Sequence, residues 1–237
     1  MLRRLALAAL LAAAPLAQAH AAAVVLWPVD PTIAAGQTAT ALWVENRGAD
    51  PVTLQVRSLG WSQAGNEDRY ARQDEVVTSP PIANVAPGQR QLIRIIRRDT
   101  GATPAEHSYR LLIDELPPPV DPTKPGAASA QLSVQMRYSI PLFTYDGTIA
   151  ATPTLAARIV MIDGKRFAEI RNAGQRHARL LNLRVQAGAK DFTVTAGLLG
   201  YVLAGSTMRW PLPDGAPASG TIVVNANGTD TTLAPTA

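Results

Sequence analysis

Arginines set among isoleucines are the residues of this chain best placed to do chemistry. Arg94 and Arg97 interrupt the run QLIRIIRR, and Arg137 lies on the polar side of an alternating strand. A guanidinium drawn into a cleft must find an anion, because an unpaired buried charge is costly to desolvate. Its planar fork suits a carboxylate. The plainer reading of each arginine is a solvated strand face. His107 and His177 have no carboxylate or serine at a motif spacing and read as solvated loop histidines. Asp114 and Glu115 are adjacent, and neighbours on a strand point to opposite faces, which does not suit a shared acid–base site. Asn227-Gly228-Thr229 fits a glycosylation sequon, but Asn-Gly after VVNA reads better as a hairpin turn. No glycine-rich loop indicates a nucleotide. With no cysteine and three histidines, one of them His20, there is little for metal chemistry. No cofactor is indicated, and an enzyme is the weak hypothesis.

A second kind of chemistry is main-chain hydrogen bonding. Leu132, Val134, Met136, Tyr138 and Ile140 alternate with Gln131, Ser133, Gln135, Arg137 and Ser139. Period two is a strand with one apolar and one polar face. The preceding PPPVDPTKPG cannot pair in a sheet, since proline lacks the amide donor, so this strand begins after a free loop and reads as an edge strand. A row of large apolar side chains on an edge is a hazard that proteins normally suppress. Either the row fills the chain's own core, or it is kept because another protein's sheet needs a strand.

The elements around these residues are short β-like runs separated by turns, with almost no helical periodicity. A basic start (Arg3, Arg4), LALAALLAAAPLA and Ala17-Gln18-Ala19 make a secretory signal peptide over residues 1–21. No later run is apolar for long enough to span a bilayer, so direct membrane insertion is not expected. Without Arg3 and Arg4 the formal charge of +4 falls to about +2, too weak and scattered for nucleic acid. AVVLWPV, TATALWVEN, VTLQVRSLGW, QLIRIIRR and SYRLLIDEL read as strands, with GNEDRYARQDE a polar loop. After Tyr145-Asp146-Gly147 a second set begins with ARIVMI, Asp163-Gly164 and KRFAEIRN, a hairpin whose turn needs positive φ. The pattern suggests an all-β sandwich architecture, and the length suits one large β domain or two; with the break after Tyr145-Asp146-Gly147 the two would span 22–146 and 147–237.

Several stretches together resemble the periplasmic chaperones of chaperone–usher pilus assembly, the PapD-like family. They are TSPPIANVAPGQRQLIRI, PAEHSYRLLIDELPP, the proline-rich loop and the alternating strand ending IPLF, then GYVLAGSTMRWPLP. RYSIPLF looks closer to the non-classical, spore-coat-protein-U-associated branch than to the best-known pilus chaperones. The resemblance implies two immunoglobulin-like β-sandwich domains in an L-shaped arrangement. The first lends its last strand to a pilus subunit that lacks one, without ATP, and the subunit is passed to an outer-membrane usher. Matching on the ending LF, the donor positions are Leu132, Val134 and Met136, with Ile140 on the same face. The likeness also implies that basic residues in the cleft hold the terminal carboxylate of the pilus protein.

Two departures accompany that likeness. The family's first-strand basic anchor follows a Pro-Thr, and here Pro31-Thr32 is followed by Ile33; the second, just before the LF pair, is Pro141. Arg137 is therefore the expected substitute, with Arg94 and Arg110 as competing candidates. Arg94 and Glu106 match a family ion pair near the domain junction. Rival readings are a structural pilus or adhesin subunit of the same secretion route and an exported carbohydrate-binding sandwich. The first would be one incomplete sandwich, and the second would want more than 5% aromatics. Self-association of the free protein to cap its strand is left open.

Overall fold

A computed structural model describes residues 24–98, 105–117, 135–146 and 152–235, and two sandwiches account for all of them. In the first half the strands are β1 (Val24–Trp27), β2 (Thr32–Ile33), β3 (Ala39–Asn46), β4 (Val52–Ala64), β5 (Glu67–Ala71), β6 (Val76–Ser79), β7 (Ile82–Val85), β8 (Arg90–Arg97), β9 (Glu106–Leu116) and β10 (Arg137–Tyr145). The second half holds β11 (Leu155–Ile162), β12 (Lys165–Asn172), β13 (Ala178–Ala187), β14 (Lys190–Thr193), β15 (Leu198–Val202), β16 (Thr207–Pro211), β17 (Thr221–Ala226), β18 (Thr229–Thr232) and β19 (Ala234–Pro235). The first sandwich packs a β1-β3-β8-β6 sheet on a β2-β10-β9-β4-β5 sheet to which β7 also pairs. The second packs β16-β12-β11-β19 on β14-β13-β17-β18, with β15 beside β13.

Alternation explains which side chains meet. Leu42 and Val44, Ile93 and Ile95, Leu54 and Val56, Leu111 and Ile113, and Ile140 and Leu142 share the inner faces and form one core. A second core gathers Ile170, Leu180, Leu183, Val185, Val202 and Val224. Arg97 has the parity of Ile93 and Ile95 and is buried; Arg94 has the opposite parity and is exposed. The stretch read as a polar loop after Trp61 instead forms the β4–β5 hairpin, every residue of β5 being exposed. With no apolar face to bury, it carries no alternation to read. The Asp163-Gly164 hairpin is present, with φ of 47° and 74°, and Asn227-Gly228 turns β17 into β18 at 50° and 91°.

One device closes a corner of each sandwich. Asn46 is fully buried, donates to Val85 O (2.9 Å) and Asp50 O (2.7 Å), and accepts from Gly48 N (2.9 Å). Asn172, also fully buried, donates to Val202 O (3.1 Å) and Arg176 O (2.7 Å) and accepts from Gly174 N (3.0 Å) and Thr154 N (3.1 Å). Each side chain replaces water for backbone groups that a sheet edge would orphan. A Cβ on Gly174 would lie 2.5 Å from Thr152 O and Thr154 N, so this position needs glycine for close approach. Asn172→Ala should therefore cost about 2–4 kcal/mol, since several buried groups lose their partner together. Chemical denaturation at equal slope measures it; a change below about 0.5 kcal/mol would mean that water satisfies the corner.

Candidate functional site: a free strand edge and an interdomain cleft

Among the described residues, β10 is hydrogen-bonded on one side along its whole length and on the other almost nowhere. It pairs antiparallel with β9 from Arg137↔Asp114 to Tyr145↔Glu106. On the opposite edge only Phe143 and Thr144 meet β2, in parallel. Over Arg137–Leu142 the outer edge has no partner strand among the described residues. β9 stops at Leu116 because Pro117, Pro118 and Pro119 follow, and proline cannot extend a ladder. Glu115 N still reaches Met136 O (3.0 Å), the last main-chain link from β9.

The apolar row along this strand divides in two. Ile140 is 5% exposed and packed among Leu111, Ile113 and Leu142, so it belongs to the chain's own core and not to the donor face. Tyr138 is half-buried, and its hydroxyl donates to Glu115 Oε1 (2.9 Å); burial and that carboxylate push its pKa up to about 12. Met136 is 46% exposed. Leu132 and Val134 lie outside the described residues.

Of the three arginines named as carboxylate anchors, two are far from any cleft. Arg137 heads β10 with a mostly exposed side chain and bonds Asp114, which Arg57 also grips at 2.6 Å. Burial works to raise the pKa of Asp114, but the hydrogen bonds from Arg137 and Arg57 outweigh it and hold the carboxyl below its usual range. Arg137 stands six residues before Phe143, roughly 20 Å along an extended strand. Arg94 is exposed between Ala41 and Ser79 on the opposite sheet.

Arg110 is the exception. Two residues along β9 from Leu112, it shares a face with Leu59 and Pro141 and is only 9% exposed. Its guanidinium carbon lies 3.7 Å from the centre of the Trp61 ring and 5.7 Å from that of Tyr201. The closest carboxylate oxygen, Asp68 Oδ2, is 3.9 Å away, and Arg110 Nε has no hydrogen-bond partner among the described residues. This is a desolvated cation with a weak counter-charge, a site that favours an incoming anion.

Arg110 sits where the two sandwiches meet. Trp61, Phe143, Tyr145 and Leu203 form a third buried cluster, with Tyr201 edge-on to Trp61 at 5.4 Å. Gln63 ties the domains together through its amide, donating to Tyr201 O (3.0 Å) and accepting from Leu203 N (2.9 Å). Glu106, expected to pair with Arg94, instead accepts from His177 N (2.8 Å) and lies 2.7 Å from His177 Nδ1. The His177 ring stacks on Phe143 at 3.5 Å between centroids. Neither histidine is a solvated loop residue: His177 is buried, and His107, within β9, has Nε2 3.3 Å from Asp146. Asp146 is also held bidentately by the buried Arg97 (2.6 and 2.8 Å), whose hydrogen bonds lower its pKa against the effect of burial. Sequence reasoning does not find the aromatic contacts, although Trp61 continues the parity of Arg57 and Leu59.

Residues 24–145, just over half of the chain, match the family described as pili and flagellar-assembly chaperone, PapD N-terminal domain. No curated protein matches significantly. Among solved structures, the chain is similar to the CsuC–CsuE chaperone–tip adhesion subunit pre-assembly complex from the archaic chaperone-usher Csu pili of Acinetobacter baumannii. There the identity is 29% over 91% of this chain and 100% of that one, with a TM-score of 0.73. The CupB2 chaperone of Pseudomonas aeruginosa is 16% identical over 90% of this chain and 100% of its own, at a TM-score of 0.59. The Salmonella enterica SafA pilin–SafB chaperone complex gives 19% identity over 89% and 92%, at 0.61. The last two establish the shared fold, while the first agrees with the lean of RYSIPLF away from the best-known pilus chaperones. With its first sandwich matched from end to end, this chain belongs to the family of pili and flagellar-assembly chaperones that carry a PapD N-terminal domain.

Proposed function

We propose that this pilus-assembly chaperone holds its subunit by two contacts, the open edge of β10 and the guanidinium of Arg110. The first supplies a strand to an incomplete sheet in the pilus protein; the second takes the carboxylate that ends that protein's chain. The observation that carries the reading is the pairing of β10, complete toward β9 and, among the described residues, limited to Phe143 and Thr144 on the other side. Strand addition would satisfy those main-chain groups on both partners. By their spacing in the sequence Leu132, Val134 and Met136 share the parity of Ile140 and Leu142, and a groove in the pilus protein would receive them. Each such side chain moved from water is worth roughly 1.5–3 kcal/mol, which supports binding without ATP. Two separate cores count against the alternative of a single incomplete pilus or adhesin subunit. The bound subunit would then pass to an outer-membrane usher. The family's work is periplasmic, and residues 1–21 fit a cleaved export signal that would bring the chain there. The division between domains falls, on this reading, at 146/147, and the chain performs no catalysis.

Arg110 replaces Arg137 as the preferred anchor because it alone of the three candidates is desolvated at the junction. Arg110→Ala should cost about 2–5 kcal/mol of subunit binding, and Arg110→Lys should recover part of it, lacking the bidentate fork. Arg137→Ala should change affinity by less than about 0.5 kcal/mol, as an exposed ion pair does. Calorimetry against a pilus protein with free and amidated C-termini reads this directly. Equal losses for both forms would remove Arg110 from the role.

Val134→Asp with Met136→Asp should abolish complex formation while shifting unfolding by no more than about 1–2 kcal/mol. Gel filtration of the co-expressed chaperone and pilus protein, with a parallel melt, separates the outcomes. A double variant that fails to fold would make these residues core.

A further inference from the structure

The chain has no cysteine, so all of its sulfur is thioether: Met1, Met136, Met161 and Met208. Met1 falls in the expected export signal, and Met208 is half-buried against the second core. Met136 and Met161 are 46% and 59% exposed. Met161 lies on β11 in the second sandwich, across from Arg166 on β12. Met136 directly precedes β10, and its backbone is held in place. Its carbonyl accepts from Glu115 N at 3.0 Å, and its amide donates to Glu115 Oε2 at 3.4 Å.

Met136 has the parity of Tyr138 and Ile140, yet those two are covered and it is not. Ile140 lies in the chain's own core, and Tyr138 is half-buried with its hydroxyl on Glu115. The row thus passes from covered carbon to an open thioether where the core ends. A thioether is apolar and flexible, and it fills irregular apolar surfaces well. It is also open to oxidation. The sulfur lone pair attacks one oxygen of a peroxide, the O–O bond breaks and an S=O bond forms. After proton transfer the other oxygen leaves as water; sulfur has lost two electrons and the peroxide has gained them. The product keeps the shape of the side chain and makes it polar. Water solvates the new oxygen in the free protein, whereas an apolar groove strips that water away and supplies no donor.

We propose that Met136 is an oxidation site through which peroxide turns strand donation off. The inference rests on the proposed role of the β10 edge and adds a chemical control to it. Oxidation acts on the free chaperone, because a bound pilus protein covers the thioether. The change is reversible by a thiol-dependent sulfoxide reductase. Two electrons and two protons from a dithiol restore the thioether and release water, and the dithiol becomes a disulfide. Having no cysteine, the chain depends on an outside reductant for this step.

The test treats the full chain with hydrogen peroxide, quenches it with catalase and maps added oxygen by peptide mass spectrometry. Calorimetry then measures affinity for a pilus protein. Met136 and Met161 should both oxidise in the free chain, and binding should weaken about 10- to 100-fold. Sulfoxide reductase with dithiothreitol should restore it. Met161→Leu should leave that loss unchanged, since Met161 lies on the other domain. Met136→Leu, whatever its own affinity, should bind equally before and after peroxide. In a complex formed beforehand, Met161 should oxidise while Met136 is spared. Full affinity with Met136 oxidised, or an equal loss in Met136→Leu, would overturn the site. Either result leaves strand donation standing, because the untreated chain still binds. An untreated wild-type chain that forms no complex defeats the chaperone reading itself, and the inference with it.

Discussion

A strand bonded along one edge and, among the described residues, open over Arg137–Leu142 on the other is the constraint on which the rest of this structure depends. β10 cannot be left open without risk, because an unpaired edge of apolar residues invites association. The chain limits the risk in two ways. Its own core takes Ile140 and Leu142, anchoring the C-terminal half of the strand. At the N-terminal half, the Asp114 carboxylate collects Arg137 and Arg57 on the outer face, placing charge beside the open edge. The prolines after β9 then withdraw the neighbour that would otherwise continue the ladder.

The second constraint is the junction between the two sandwiches. Trp61, Phe143, Tyr145 and Leu203 supply apolar contact at the junction, and polar groups fix the register. The Gln63 amide reads the backbone of both Tyr201 and Leu203. His177 meets Glu106 through backbone and ring together, and its plane lies on Phe143, two residues from the end of β10. The cleft and the end of β10 are thus set by the same few side chains. An arginine buried there, such as Arg110, is expensive to desolvate until an anion pairs with it.

Much of this is legible in the residues. Alternation locates most strands, Asp163-Gly164 and Asn227-Gly228 mark their turns, and the proline run marks the edge. The β4–β5 hairpin is not legible, because EDRYA buries neither face. Arg94 takes the family's junction pair by resemblance, although its parity, opposite to Ile93 and Ile95, already points outward; Arg97 carries the inward parity. His177 meets Glu106 across 71 positions of sequence, and no local pattern encodes such a contact. Arg110 alternates with Tyr109 and Leu111, so its face is readable, but its burial depends on Tyr201 and Trp61 arriving from elsewhere. Ile140 continues the apolar row of the donor face, and only the pairing to β9 reveals where core ends and free strand begins.

Amide hydrogen exchange across Met136–Leu142, in the free chaperone and in its complex with a pilus protein, addresses the central claim most directly. Amides on the outer edge of β10 should exchange rapidly in the free protein and become protected when an incoming strand pairs with them. Protection already present in the monomer, or exchange unchanged in the complex, would contradict strand addition at this edge.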